Sequence, residues 1–319
     1  MYSENPVIIK TEVSFKNDLF VKDYTAKLIK TLLINGNPKL EEVFSKGKDL
    51  PPKPMHITPL YTTTTFKGGK RRMKAVYTKF IPSSSTAKPP GLNKLKPVRI
   101  ESNKKYFFYV GVPISLLSEV LMGLSNVGEF NFGKSIIYID SLSYEIHYID
   151  VDRETEKITS LLKEGGETIS IKITFESPTL LKDPLVIMRR KKKKLLLPLP
   201  EAVLSAPFLM VLIDKGKLRK SIFLRCMRYV KSVFDIPYTA LKTVNLVWYV
   251  YDNEVLPAMI GYVKYFIDYQ VLQYVQSIME MKYGLDFIKL LSRAIVLTQV
   301  YGVGDGRATG FGHVSFEIK

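Results

Sequence analysis

The sequence has one cysteine, Cys226, one tryptophan and three histidines in 319 residues. A single cysteine excludes an intrachain disulfide and a cysteine-based zinc site. The histidines, His56, His147 and His313, are scattered, and neither H-x-E nor C-x-x-C occurs. Acids are scarce too: 30 Asp+Glu stand against 47 Lys+Arg, a formal charge of +17. No pair of carboxylates stands at metal-binding spacing, so a nuclease working through bound magnesium would lack its ligands, and no cofactor is expected. No run of about 18 uncharged apolar residues is present to cross a membrane. The best candidate, 244–267, is interrupted by Asp252, Asn253 and Glu254. The opening residues lack the regions of a signal peptide. These absences predict a cytoplasmic protein without a membrane role.

What is present is apolar surface and positive charge. A hydrophobic content of 46% is enough for real cores in a chain long enough for two domains. The charge is clustered: 67–105 holds twelve Lys/Arg and a single acid, Glu101. A clustered excess of that size points to a polyanionic partner. The candidates for phosphate contact are Lys70, Arg71 and Arg72, then Arg189, Arg190, Lys191 and Lys192 in a run of six positive charges, and Arg219 at the start of a helix with a basic side.

The most informative stretch is 302–312, G-V-G-D-G-R-A-T-G-F-G, between an apolar helix over 285–300 and an alternating strand over 313–318. Phosphate-binding glycine loops need strand before helix, the reverse of this order. Five glycines, Gly302, Gly304, Gly306, Gly310 and Gly312, predict a loop that lets another chain come close rather than one built to pack. Arg307 within it and His313 just after it become candidates for touching that chain.

The spacing G-h-G-x5-G-h-G, with h apolar, resembles the C-terminal signature of the CRISPR-associated endoribonucleases that cut repeat RNA, a branch of the RAMP superfamily. The strand ending Phe175-Glu176-Ser177-Pro178-Thr179 is similar to the one that begins their C-terminal domain. The resemblance implies a metal-independent cut of repeat RNA to mature guide RNA. The 2′-hydroxyl attacks its own phosphate and leaves a 2′,3′-cyclic phosphate and a 5′-hydroxyl. It makes precursor CRISPR RNA the partner and leaves room for other effector subunits and for a homodimer.

Element by element, the first half reads as a strand over 7–15, a helix over 19–33 with Asp18 as N-cap, and a short helix over 39–44. A strand over 55–65, a hairpin around 73–81, a strand over 99–112, a helix over 114–124 and strands over 135–150 follow. The second half reads as strands over 167–176, 241–251, 259–267 and 313–318, with helices over 218–234, 269–282 and 285–300. Both halves follow the order of an antiparallel sheet with helices on one face. The expected fold is α+β, two tandem ferredoxin-like domains over 1–160 and 161–319.

In the family the helper residues lie on the first helix and in the loop after it. Carried over through Asn37-Pro38-Lys39-Leu40, the usual tyrosine falls on Lys30, the histidine on Ser45 and the lysine near Lys53. Some archaeal members without the histidine use lysines instead, and Lys27, Lys30, Lys46 and Lys53 could form such a cluster. A lysine among positive neighbours has its pKa lowered and can donate a proton, while a charged one steadies a phosphorane. Ser45 could hold a phosphate oxygen, and His56 is the histidine nearest that loop in sequence.

Two other readings stand beside the enzyme. The same fold could bind repeat RNA without cutting it, as a subunit of an interference complex. A membrane-surface or DNA-binding protein fits the charge, but no basic amphipathic helix with aromatic anchors and no helix-turn-helix or zinc pattern supports it.

Overall fold

The computed structural model describes residues 2, 5–45, 52–65, 71–82, 88–165, 169–186, 194–237 and 242–319, without the side chains of 65, 71, 72 and 194. The first half is built from β1 (Val7–Phe15), α1 (Thr25–Gly36), β2 (Leu60–Thr65), β3 (Tyr106–Val112), α2 (Leu117–Ser125) and β4 (Ser135–Tyr148). Its sheet runs β4-β1-β3-β2 with every pair antiparallel, the ferredoxin-like order. Arg71–Val76 extends it beyond β2 and Glu129–Phe132 beyond β4. Alternation decides the faces. Val7, Ile9 and Val13 of β1 turn to a core shared with Leu28 and Leu32 of α1 and Val120 and Leu124 of α2.

The second half repeats the plan with β5 (Ser170–Thr179), α3 (Lys220–Val233), β6 (Val244–Tyr251), β7 (Glu254–Ile267), α4 (Tyr269–Tyr283), α5 (Phe287–Tyr301) and β8 (Val314–Ile318). Its sheet runs β8-β5-β7-β6, again antiparallel, so the fold is a tandem of ferredoxin-like units. Three helices that the sequence pattern does not signal, Val151–Glu164, Pro200–Val203 and Ser205–Asp214, add to the second core. The first is capped by Asp150, whose carboxylate accepts from the Arg153 amide at 3.0 Å. It sends Val151, Ile158 and Leu162 into the second core, and position 160, the expected division of the chain, falls inside it.

The expected helix over 19–33 begins late. Leu19–Val21 is a strand paired with Val98–Ile100, and α1 starts at Thr25. Asp18 cannot cap it, because its carboxylate accepts from the Ser102 amide at 2.7 Å and from Arg99 at 2.9 and 2.5 Å. Thr58 and Pro59 divide the expected strand over 55–65 into His56–Ile57 and β2.

The glycine stretch ties the halves together. Val303 belongs to the second core, whereas Ala308 and Phe311 belong to the first. Phe311 stacks on Tyr24 at 4.6 Å and 4° between planes, and the Tyr24 hydroxyl donates to the Gly310 carbonyl at 2.9 Å. Gly310 lies in the left-handed region at φ +99°, and a Cβ there would collide with that of Ala26 on α1. The short strand Lys79–Phe80 adds a second link by pairing with Trp248 and Tyr249 of β6.

Gly310→Ala is expected to destabilise the chain by about 2 kcal/mol or more, because strain in φ adds to the clash. Gly133→Ala, also at positive φ but with open space around the added Cβ, is expected to cost about 1 kcal/mol. Urea unfolding midpoints of the two variants separate the contributions.

Candidate functional site

Lys30, Phe44 and Lys53 come together from α1, the short helix Lys39–Ser45 and the segment before His56–Ile57. The Lys30 ammonium sits 5.3 Å from the centre of the Phe44 ring. The Lys53 ammonium donates to the Phe44 carbonyl at the end of the short helix. Burial first, and the nearby charge of Lys30 second, lower the pKa of Lys53. Two positions named from sequence therefore meet as a lysine pair on one carbonyl-bearing turn.

Lys27 goes elsewhere. Its ammonium binds Asp23 at 2.9 Å and also Asp252, at the turn between β6 and β7. Burial alone would lower its pKa, but the hydrogen bonds to Asp252 and Asp23 prevail and raise it to about 12. The expected cluster of lysines does not gather around Lys27: paired with these two carboxylates, it stays charged and ties α1 to the second half. Asp23, four residues before it, was a visible sign of that pairing. Ser45 is exposed, with its hydroxyl on the Glu42 carbonyl at 3.2 Å. Lys46 lies outside the described residues.

His56 is also corrected. It is buried, and its Nδ1 donates to the Arg307 carbonyl at 3.0 Å, since a carbonyl can only accept. That fixes Nε2 as the acceptor, 3.2 Å from His313 Nδ1, which must be the donor. Burial, helped by His313 and Arg307, holds His56 well below the ordinary imidazole pKa, and burial brings His313 down to about 4. His313 stacks on Tyr109 at 5.4 Å. The pair is a neutral, oriented contact between the halves.

The glycine loop differs most from expectation. The close approach its glycines permit is made by this chain itself. A Cβ on Gly304 would strike the Leu180 carbonyl, and one on Gly312 the Val303 carbonyl. On Gly302 it would lie 2.8 Å from His56, and on Gly306 2.7 Å from Phe311. Arg307, expected to reach RNA, points into the second core. Its guanidinium donates to the Tyr301 carbonyl at 3.2 Å, and burial lowers its pKa to about 10.

Of the basic candidates, Lys70, Arg189, Arg190, Lys191 and Lys192 lie outside the described residues, as do the side chains of Arg71 and Arg72. Arg219 is exposed at the start of α3, whose Lys220, Arg225, Arg228 and Lys231 are exposed as well, while Ile222, Cys226, Met227, Val230 and Val233 face the core. The sequence reading of α3 as a helix with one basic side agrees with this arrangement.

No family model and no curated protein matches the chain. Solved structures do match its fold. A Cas6 product complex covers 98% of this chain and 100% of its own at TM-score 0.57 and 13% identity. This chain has the Cas6 fold. A second Cas6 product complex covers 98% of this chain and 99% of its own at TM-score 0.52 and 13% identity. Thermus thermophilus Cas6 covers 98% of each chain at TM-score 0.51 and 13% identity. These solved Cas6 structures thus match the fold of this chain over nearly its whole length.

Because His56 is buried and neutral and the half-buried His313 beside it is held down to about 4, the folded state binds fewer protons than the unfolded one below the ordinary imidazole pKa of about 6.5. Stability is therefore full above pH 6.5 and falls as pH drops towards 4, with His313 alone contributing on the order of 3 kcal/mol. Denaturant midpoints measured across that range are expected to fall, and His313→Asn is expected to flatten the slope.

Proposed function

We propose that this chain binds CRISPR repeat RNA and cleaves it without a metal ion, with Lys53 and Lys30 at the scissile phosphate. The observation that carries the reading is the lysine pair at Phe44, on the same helix and loop that the family resemblance marks for catalysis. The whole-chain likeness to Cas6 structures solved as product complexes supports the choice of RNA substrate.

In the proposed reaction the ribose 2′-oxygen bonds to phosphorus and loses its proton to solvent. The bond from phosphorus to the 5′-oxygen breaks as the Lys53 ammonium donates its proton to that oxygen. A lowered pKa makes Lys53 the better acid. Lys30, held over an aromatic ring, supplies fixed positive charge to the phosphorane. The exposed basic face of α3 offers phosphate contacts that would make binding sensitive to salt. A non-cleaving role is the second reading, favoured by Ser45, which stands at the family's histidine position with its hydroxyl on a backbone carbonyl.

The test is single-turnover cleavage of a labelled repeat RNA in EDTA, with 2′-deoxy substitutions at candidate cut sites. Cleavage abolished by one deoxy position is expected. Lys53→Ala is expected to slow it by about 10²–10⁴-fold, the range for a lost general acid, and Lys30→Ala by about 10²-fold. Lys27→Ala is expected to change the rate by less than about threefold, as for an exposed ion pair outside the chemistry. The rate should rise with pH as the 2′-hydroxyl loses its proton, then level off as Lys53 deprotonates, below the ordinary lysine value of 10.5. Tight binding with no cleavage would establish the second reading.

A further inference from the structure

Resting on the role given to Lys53, we propose that Tyr2 is a positioning residue that fixes this lysine from the opposite half of the fold. Tyr2 has no exposed surface and belongs to the second core. Its amide donates to Asp214 Oδ1 at 3.0 Å, at the end of the helix Ser205–Asp214. Its carbonyl accepts from the Tyr301 hydroxyl at 3.0 Å, and its ring meets Tyr301 edge-on at 6.0 Å. Four constraints thus hold the ring before its own hydroxyl is counted: an amide bond, a carbonyl bond, an edge contact and complete burial.

That hydroxyl donates to the carbonyl of Pro52, which belongs to the peptide joining Pro52 to Lys53. The local sequence Pro52-Lys53-Pro54 is stiff. Each proline fixes its own φ, and Pro54 keeps Lys53 out of the helical region. A stiff segment still needs an anchor in space. Tyr2 holds its backbone and the Phe44 carbonyl holds the far end of the Lys53 side chain. Burial carries the Tyr2 phenol up to about 12, so it remains a donor at any pH at which the reaction would be run. Displacement of a reacting group by an ångström can cost about 10²-fold in rate. An anchor of this kind should appear in kcat and not in KM.

The experiment compares Tyr2→Phe with Tyr265→Phe in the full chain. Tyr265 is an equally buried tyrosine of the second core whose hydroxyl donates to a proline carbonyl, that of Pro198, at 2.6 Å. It therefore reports what losing such a bond costs in stability alone. Two readouts are taken: cleavage kinetics in EDTA, and the titration of Lys53 followed by NMR of ε-carbon-labelled lysine, assigned with Lys53→Arg. Tyr2→Phe is expected to lower kcat about tenfold with KM unchanged. It is also expected to move the Lys53 titration towards the ordinary lysine value as the segment loosens. Tyr265→Phe should do neither at a similar loss of thermal stability.

An unmoved Lys53 titration in Tyr2→Phe, or an equal effect from Tyr265→Phe, would overturn the assignment. Should the wild-type chain bind RNA without cutting it, the proposed reaction fails. The NMR titration would still decide whether Tyr2 positions Lys53.

Discussion

Gly310 lies so close to Ala26 that no side chain fits between them, and this contact seats the C-terminal loop on the first helix. Around it the Tyr24–Phe311 stack and the bond from the Tyr24 hydroxyl to the Gly310 carbonyl lock the loop into the first core. Val303 and the Arg307 guanidinium hold its other side in the second. The loop therefore fixes where α1 stands relative to the second half. It also fixes the Lys53–His56 segment, because the Arg307 carbonyl orients His56. Residues at the far end of the sequence thus help to place the elements that carry both candidate lysines.

Charge then sorts the lysines that sequence alone treats as equivalent. Lys27 gains two carboxylates, one from each half of the fold, and remains a structural cation. Lys53 gains a backbone carbonyl and a like-charged neighbour instead, so its proton is held less firmly. One turn of helix separates Lys27 from Lys30, yet only Lys30 shares surroundings with Lys53. The difference comes from what the second half brings to the helix, chiefly Asp252.

Much of the architecture was legible because period and order carry it. The alternation of Val7–Phe15 and Ser170–Thr179 and the helices near the end give the strand and helix order, and the order gives the doubled fold. The glycine spacing pointed to the right family of folds, but the close approach it signalled is made by this chain and not by another. What approaches could not be read, since Tyr24 and Gly310 stand 286 positions apart. The helix Val151–Glu164 leaves little mark in the sequence because half of its residues are charged and its apolar stripe rests on Val151, Ile158 and Leu162. Lys27 was half legible: Asp23 lies one turn before it, while Asp252 arrives only through folding. The burial of Tyr2, beside a lysine it precedes by 51 positions, leaves no local mark in the sequence.

The central claim is that RNA meets the Lys30–Lys53 pair while Arg307 of the glycine loop stays buried in the protein. Zero-length photo-crosslinking of an uncleavable 2′-deoxy repeat RNA, mapped by mass spectrometry, tests it most directly. Cross-links from the scissile nucleotide to Lys53 or Lys30, with none to Arg307, are the predicted result. Cross-links concentrated on Arg307, with Lys30 and Lys53 unmarked, would contradict it.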